Sequence, residues 1–150
     1  MDRTGWTSPR GADGARAGRS YDARRDLYVD IFAYFHRLKL LMARTEPFVV
    51  PAAGPHPVPD MPSEEDGIRL GAMTSALGSS ELNAAVDACL AASRQWRASV
   101  GIYRCVKVQL GDTDQQTVTA RMATHTFSER YDEKVGELEL LVRGELGSAT

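Results

Sequence analysis

Apolar residues recur at three- and four-residue steps through most of this chain, and that period predicts helices. Leu27, Ile31, Tyr34, Phe35, Leu38, Leu41 and Met42 make one broad stripe, which predicts a first helix from about Tyr21 to Thr45. Ser20 is its expected N-cap, and Asp22 stands in the first turn, where the helix dipole favours an anion. Tyr28, Phe32 and Leu40 carry the apolar surface round to further sides, so more than one neighbour is expected to pack here. A second, short helix is predicted from Glu64 to Leu77, with Ile68, Met73, Ala76 and Leu77 on its apolar face. Ser63 and Asp66 form a capping-box pattern at its start, and Gly78 is the expected stop. Gly67 and Gly71 weaken this helix, each by about 1 kcal/mol against alanine.

A third helix starts at Ser79 or Ser80, either of which can cap it. Leu82, Val86, Cys89, Ser93, Trp96, Val100 and Tyr103 alternate four- and three-residue steps, a heptad-like seam suited to antiparallel bundle packing. A fourth helix is predicted from Asp114 to Leu146, with Thr113 and Gln116 as its capping pair and Gly147 as its terminator. Ala120, Ala123, Phe127, Tyr131, Val135, Leu138, Leu141 and Val142 carry its period. The β-branched run 100–110 and the stretch from Thr117 to Phe127 also allow a hairpin around Gly111-Asp112.

Two segments break the period. Residues 46–62 hold six of the seven prolines and predict an extended crossover, with Phe48, Val49 and Val50 docking along it. Residues 1–19 contain four glycines and four arginines with almost nothing to bury, which predicts a disordered basic tail; 148–150 is a short second tail. The expected organisation is therefore one all-α domain over 20–147. It is an antiparallel four-helix arrangement of three long helices, one short helix and a proline-rich crossover.

Composition narrows the class. The chain has 150 residues, 43% of them apolar and 25% charged, enough for a core without staples. The formal net charge of −2 gives no electrostatic reason to expect nucleic acid. Two cysteines, Cys89 and Cys105, are too few for a disulfide scaffold and match no zinc-ligand spacing, so both are read as reduced thiols. No stretch has the roughly 20 apolar residues of a membrane span, and the Arg- and Gly-rich start lacks the apolar run of a secretory signal. The expected location is the cytoplasm.

A set of short matches lies along the same helices. Arg24-Arg25-Asp26-Leu27-Tyr28 leads to His36-Arg37-Leu38; Gly78-Ser79-Ser80-Glu81-Leu82 follows, then Leu141-Val142-Arg143-Gly144-Glu145-Leu146-Gly147. Over residues 20–147 the chain resembles a loosely defined group of small helical proteins from high-GC Gram-positive bacteria. The shared positions are mostly caps and core. The resemblance implies an antiparallel helical bundle and no activity. Members of that group often carry a membrane-spanning helix before the first bundle helix, where this chain has the basic segment.

Candidate chemistry is sparse. Gly-x-Ser-x-Gly, Walker, Gly-x-Gly-x-x-Gly and Cys-x-x-Cys patterns are absent, and no cofactor is expected. His56 falls in the proline segment and reads as solvated. His125 and Glu129 share a helical face and suggest a metal-dependent bundle enzyme as one reading. A di-iron bundle wants Glu-x-x-His, yet Met122 and Ala33 stand three residues before His125 and His36. Arg94, Arg97, Arg104 and Lys107 mix with Trp96 and Tyr103, a nucleic-acid-like pattern, but both aromatics lie on the seam and read as core. Glu129, Glu133 and Glu137 form a carboxylate stripe that suits a basic partner.

The leading functional expectation is a non-enzymatic helical interaction module that self-associates as a homodimer. Its candidate surface is Tyr28 and Phe32 on the first helix together with Glu129, Glu133 and Glu137. The other expectation is an adaptor that binds nucleic acid or an anionic membrane through the basic arm.

Overall fold

The structure, a computed structural model, describes residues 9–45 and 63–148, with side chains over 21–44 and 63–147. Four helices make up the described residues: α1 (Pro9–Thr45), α2 (Glu64–Leu77), α3 (Ser80–Leu110) and α4 (Gln115–Ser148). No strand occurs among them, so the run 100–127 is helix, turn and helix rather than a hairpin of strands. The proline segment with Phe48 to Val50 and His56, residues 1–8 and the last two residues lie outside the described residues.

The ends show why these segments fold as they do. Ser63 Oγ accepts from the Asp66 amide at 3.1 Å, and Asp66 accepts from the Ser63 amide at 3.3 Å, so the capping box forms as expected. Ser79, not Ser80, caps α3 by accepting from the Leu82 amide. At α4 the cap is Asp114, whose carboxylate accepts from the Gln116 amide at 2.8 Å. Asp114 displaces the expected Thr113 because its carboxylate is one residue closer to the orphan amides and carries the charge that the dipole favours.

Two boundaries and one cap conformation differ from expectation. α1 begins at Pro9 rather than near Tyr21, so 9–19 is helical. Proline suits a first helical position, the alanines and arginines that follow are good helix formers, and extending an existing helix avoids the nucleation cost. α4 continues through Gly147 to Ser148. Gly78 ends α2 in an extended conformation and not the left-handed one. Glycine is needed there for space: a Cβ would lie 2.8 Å from the Thr74 carbonyl oxygen and 2.9 Å from the Leu82 side chain. The left-handed position is Gly111, at φ 84°, which closes the turn between α3 and α4.

Long-range contacts set the helix directions. Ser79 donates to Glu145 across the foot of α3 and α4. Tyr28 of α1 also donates to Glu145, while further along α1 Tyr131 donates to the Phe35 carbonyl and Lys39 pairs with Asp132. α1 is therefore antiparallel to α4, and α3 is too. On α2, Gly67 stands against Tyr34 and Leu90 and Gly78 against Leu82, so α2 descends beside α3. The directions alternate in chain order, as in an antiparallel bundle.

The core follows the predicted seam. Leu82, Val86, Cys89, Ser93, Trp96 and Val100 are buried on α3, and Tyr131, Val135, Leu138 and Val142 face them from α4. Leu27, Ile31, Phe35, Leu38, Leu41 and Met42 supply the α1 side. The Tyr34 and Phe35 rings meet edge to face with centroids 5.2 Å apart, and Phe35 contacts Tyr131 in turn.

Candidate functional site

The residues expected to form a self-association surface on α1 do not lie open. Tyr28 is buried, and its hydroxyl donates to Glu145 at 2.7 Å. Burial first, and the Glu145 hydrogen bond second, push its pKa up to about 12. Phe32 is half-buried against the core. At Tyr28 and Phe32 the breadth of the α1 stripe thus reflects packing against neighbouring helices, while Val29 and Leu40 stay exposed.

The acidic stripe is on the surface with internal partners for two of its members. Glu129 pairs with His125 at 3.2 Å, and Glu137 pairs with Lys134 at 3.3 Å. Glu133 is exposed. Among the described residues no group of three or more His, Cys, Asp or Glu side chains is gathered closely enough to hold a metal ion. No helix of the described residues is long and apolar enough to cross a membrane.

Two other places have features that the motifs did not single out. The first is the distal part of the α3–α4 hairpin, residues 101–126. Equal steps back from Asp112 in the turn, in register with the Ser79–Glu145 bond, bring Trp96 to the level of Ser128, Val100 to that of Thr124, Ile102 to that of Met122 and Val106 to that of Val118. Ile102 is 60% exposed and Met122 61%. Ile102, Val106 and Leu110 form a stripe at four-residue steps along one side of α3, and Leu110 is itself 45% exposed. Val108, on another side, is 86% exposed. What this part does bury is polar: Thr117 and Thr124. Thr124 bonds back to the Ala120 carbonyl at 3.1 Å, but the Thr117 hydroxyl has no partner.

The second place is a groove of about 410 Å³ between α2 and α3, with Tyr34 of α1 at its back. Gly67 and Gly71 present bare backbone along one wall. Gly67 sits at a close approach, since a Cβ would lie 2.9 Å from the Tyr34 hydroxyl and that side-chain tip would have to shift. That hydroxyl takes a hydrogen bond from Arg97. Burial raises the Tyr34 pKa despite the opposing influence of Arg97. Arg94 and Asp87 stand on the α3 rim with Leu90 between them, and Glu64 opens α2 on the other side.

No sequence motif marks either place. The distal stripe was visible as the run of β-branched residues near Val100 to Leu110, which reads as strand as easily as helix. The groove arises from the crossing of three helices and has no local signature. No family model matches the chain, and no curated protein or solved structure shows significant similarity to it.

Proposed function

We propose that this protein is a non-enzymatic helical interaction module of the cytoplasm that self-associates through the distal half of its α3–α4 hairpin. The observation that carries the reading is the exposed stripe of Ile102 and Leu110 with Met122 at the same level on α4. A four-residue apolar repeat is the ridge on which another helix packs, and exposed apolar surface of this kind marks contacts.

Charge favours a second copy as the occupant. Between Asp87 and Asp112, α3 carries no acidic residue, only Arg94, Arg97, Arg104 and Lys107. α4 carries the Glu129, Glu133 and Glu137 stripe nearer its C-terminal end. A two-fold pairing of hairpins sets the basic half of each α3 against the carboxylate stripe of the other α4, so one complementary contact is made twice. The two thiols, Cys89 buried and Cys105 exposed, are both free, which suits a reducing compartment.

Sedimentation equilibrium tests the reading. The wild-type chain is expected to be a dimer at micromolar concentration. Ile102→Glu combined with Met122→Glu should give a monomer of unchanged helicity, because both positions are exposed. Arg104→Glu with Lys107→Glu, and separately Glu133→Lys with Glu137→Lys, should each weaken the dimer, and mixing the two variants should restore it as a heterodimer. A wild-type chain that stays monomeric at high concentration overturns the reading.

A further inference from the structure

The groove between α2 and α3 lies outside the self-association stripe and has its own chemistry. Its volume of about 410 Å³ falls in the range of small-molecule sites, and inter-helix crevices of bundles are a usual place for them. Its charges are split along its length. Arg94 and Arg97 stand toward one end with the Tyr34 hydroxyl, opposed there by Glu64 on the α2 rim and by Asp66, whose charge also acts on that hydroxyl. Asp87 stands alone toward the other. Among the described residues neither Arg94 nor Asp87 has an ion-pair partner. Seven residues separate them on α3, about 10 Å of helical rise. Between them the lining is apolar or bare: Leu90, Ile68 and the Gly71 backbone.

We infer that this groove binds a small amphoteric molecule, a carboxylate and a primary amine joined by an aliphatic stem about 10 Å long. The carboxylate sits between Arg94 and the Tyr34 hydroxyl, which accepts from Arg97 and so has its own proton to donate. The stem lies on Leu90 and Ile68 across Gly71, where a side chain on α2 would fill the space. The ammonium pairs with Asp87. Each end alone meets a solvated surface charge of small value, whereas the two ends on one stem bind as a linked pair with a large effective concentration.

The test uses the full chain and four probes: 8-aminooctanoate, 4-aminobutanoate, octanoate and octylamine. Titration is followed by amide and arginine side-chain NMR shifts. The expected result is shifts at Gly67, Gly71 and Arg94, with 8-aminooctanoate binding at least tenfold more tightly than the other three. Asp87→Asn should remove that preference over octanoate, and Arg94→Gln should remove the preference over octylamine; both residues are exposed, so the fold is retained. Asp87→Arg should switch the selectivity to the dicarboxylate octanedioate. Absence of shifts at millimolar 8-aminooctanoate, or equal binding of all four probes, overturns the inference. Either result leaves the self-association reading standing, because the variants and readouts are separate.

Discussion

The two halves of the α3–α4 hairpin share one helical period and one register, yet they are built differently. In the proximal half, Leu82, Val86, Cys89 and Trp96 are packed against α4 with α1 and α2 closing the other sides. Trp96 is 1% exposed. In the distal half the same α3 presents Ile102, Val108 and Leu110 to the outside, and α4 presents Met122, while the shared seam carries threonines. The difference lies in what surrounds the pair rather than in the pair itself. A two-helix hairpin can bury one narrow seam; a broad core needs a third element. Apolar residues are thus expensive to lose in the first half and spare in the second, and spare apolar surface is what association uses.

The largest expected effect is at Trp96. Trp96→Ala should cost about 3–5 kcal/mol in denaturant unfolding, whereas Val108→Ala should stay within about 0.5 kcal/mol. Similar losses at both positions would erase the distinction between the halves.

The next effect is collective and appears at alkaline pH. Burial, the main cause for each, raises the pKa of Tyr28 and of Cys89 to about 12, and that of Tyr131 also upward. Each group holds its proton more tightly when folded. Its contribution is therefore whole below the unfolded value, 9.0 for the thiol and 10.0 for the phenols, and is lost as pH rises toward the folded value. Stability measured by urea unfolding should fall between pH 9.0 and about 12, and Tyr28→Phe or Cys89→Ala should each make that fall shallower. A flat profile over this range contradicts the burial of these groups.

Smaller effects sharpen the contrast. The Thr117 hydroxyl is buried without a partner, so Thr117→Val should stabilise the chain by about 1 kcal/mol. Glycines divide in the same way. A Cβ on Gly101 meets open space, and Gly101→Ala should gain about 0.5–1 kcal/mol from helix propensity alone. At Gly67 the same gain is opposed by the Tyr34 hydroxyl, so Gly67→Ala should be destabilising. Equal gains at the two glycines would remove the close approach from the account of the groove.

The helical fold was legible because its signal is local. The α3 seam from Leu82 to Val100, the Ser63–Asp66 capping box and the bounds of α2 all follow from residues within a turn or two of each other. What escaped depends on partners distant in sequence. Tyr28 looked like spare surface on a wide stripe until Glu145, at the far end of α4, accepted its hydroxyl. Gly67 looked like a weak point in a helix, and its reason lies on α1 in Tyr34. The groove charges Asp87 and Arg94 are ordinary surface residues in the sequence, and only the crossing of α2 gives them a common cleft. At the start of α4 the capping-box pattern pointed to Thr113, one residue too early, because the pattern does not show that the Asp114 carboxylate takes the Gln116 amide.

The most direct test of the two-halves account is amide hydrogen exchange measured as a function of protein concentration. The distal residues 101–126 should exchange quickly in dilute protein and become protected as concentration rises, while the proximal seam from Leu82 to Val100 stays protected throughout. Protection of residues 101–126 that does not change with concentration would contradict the account.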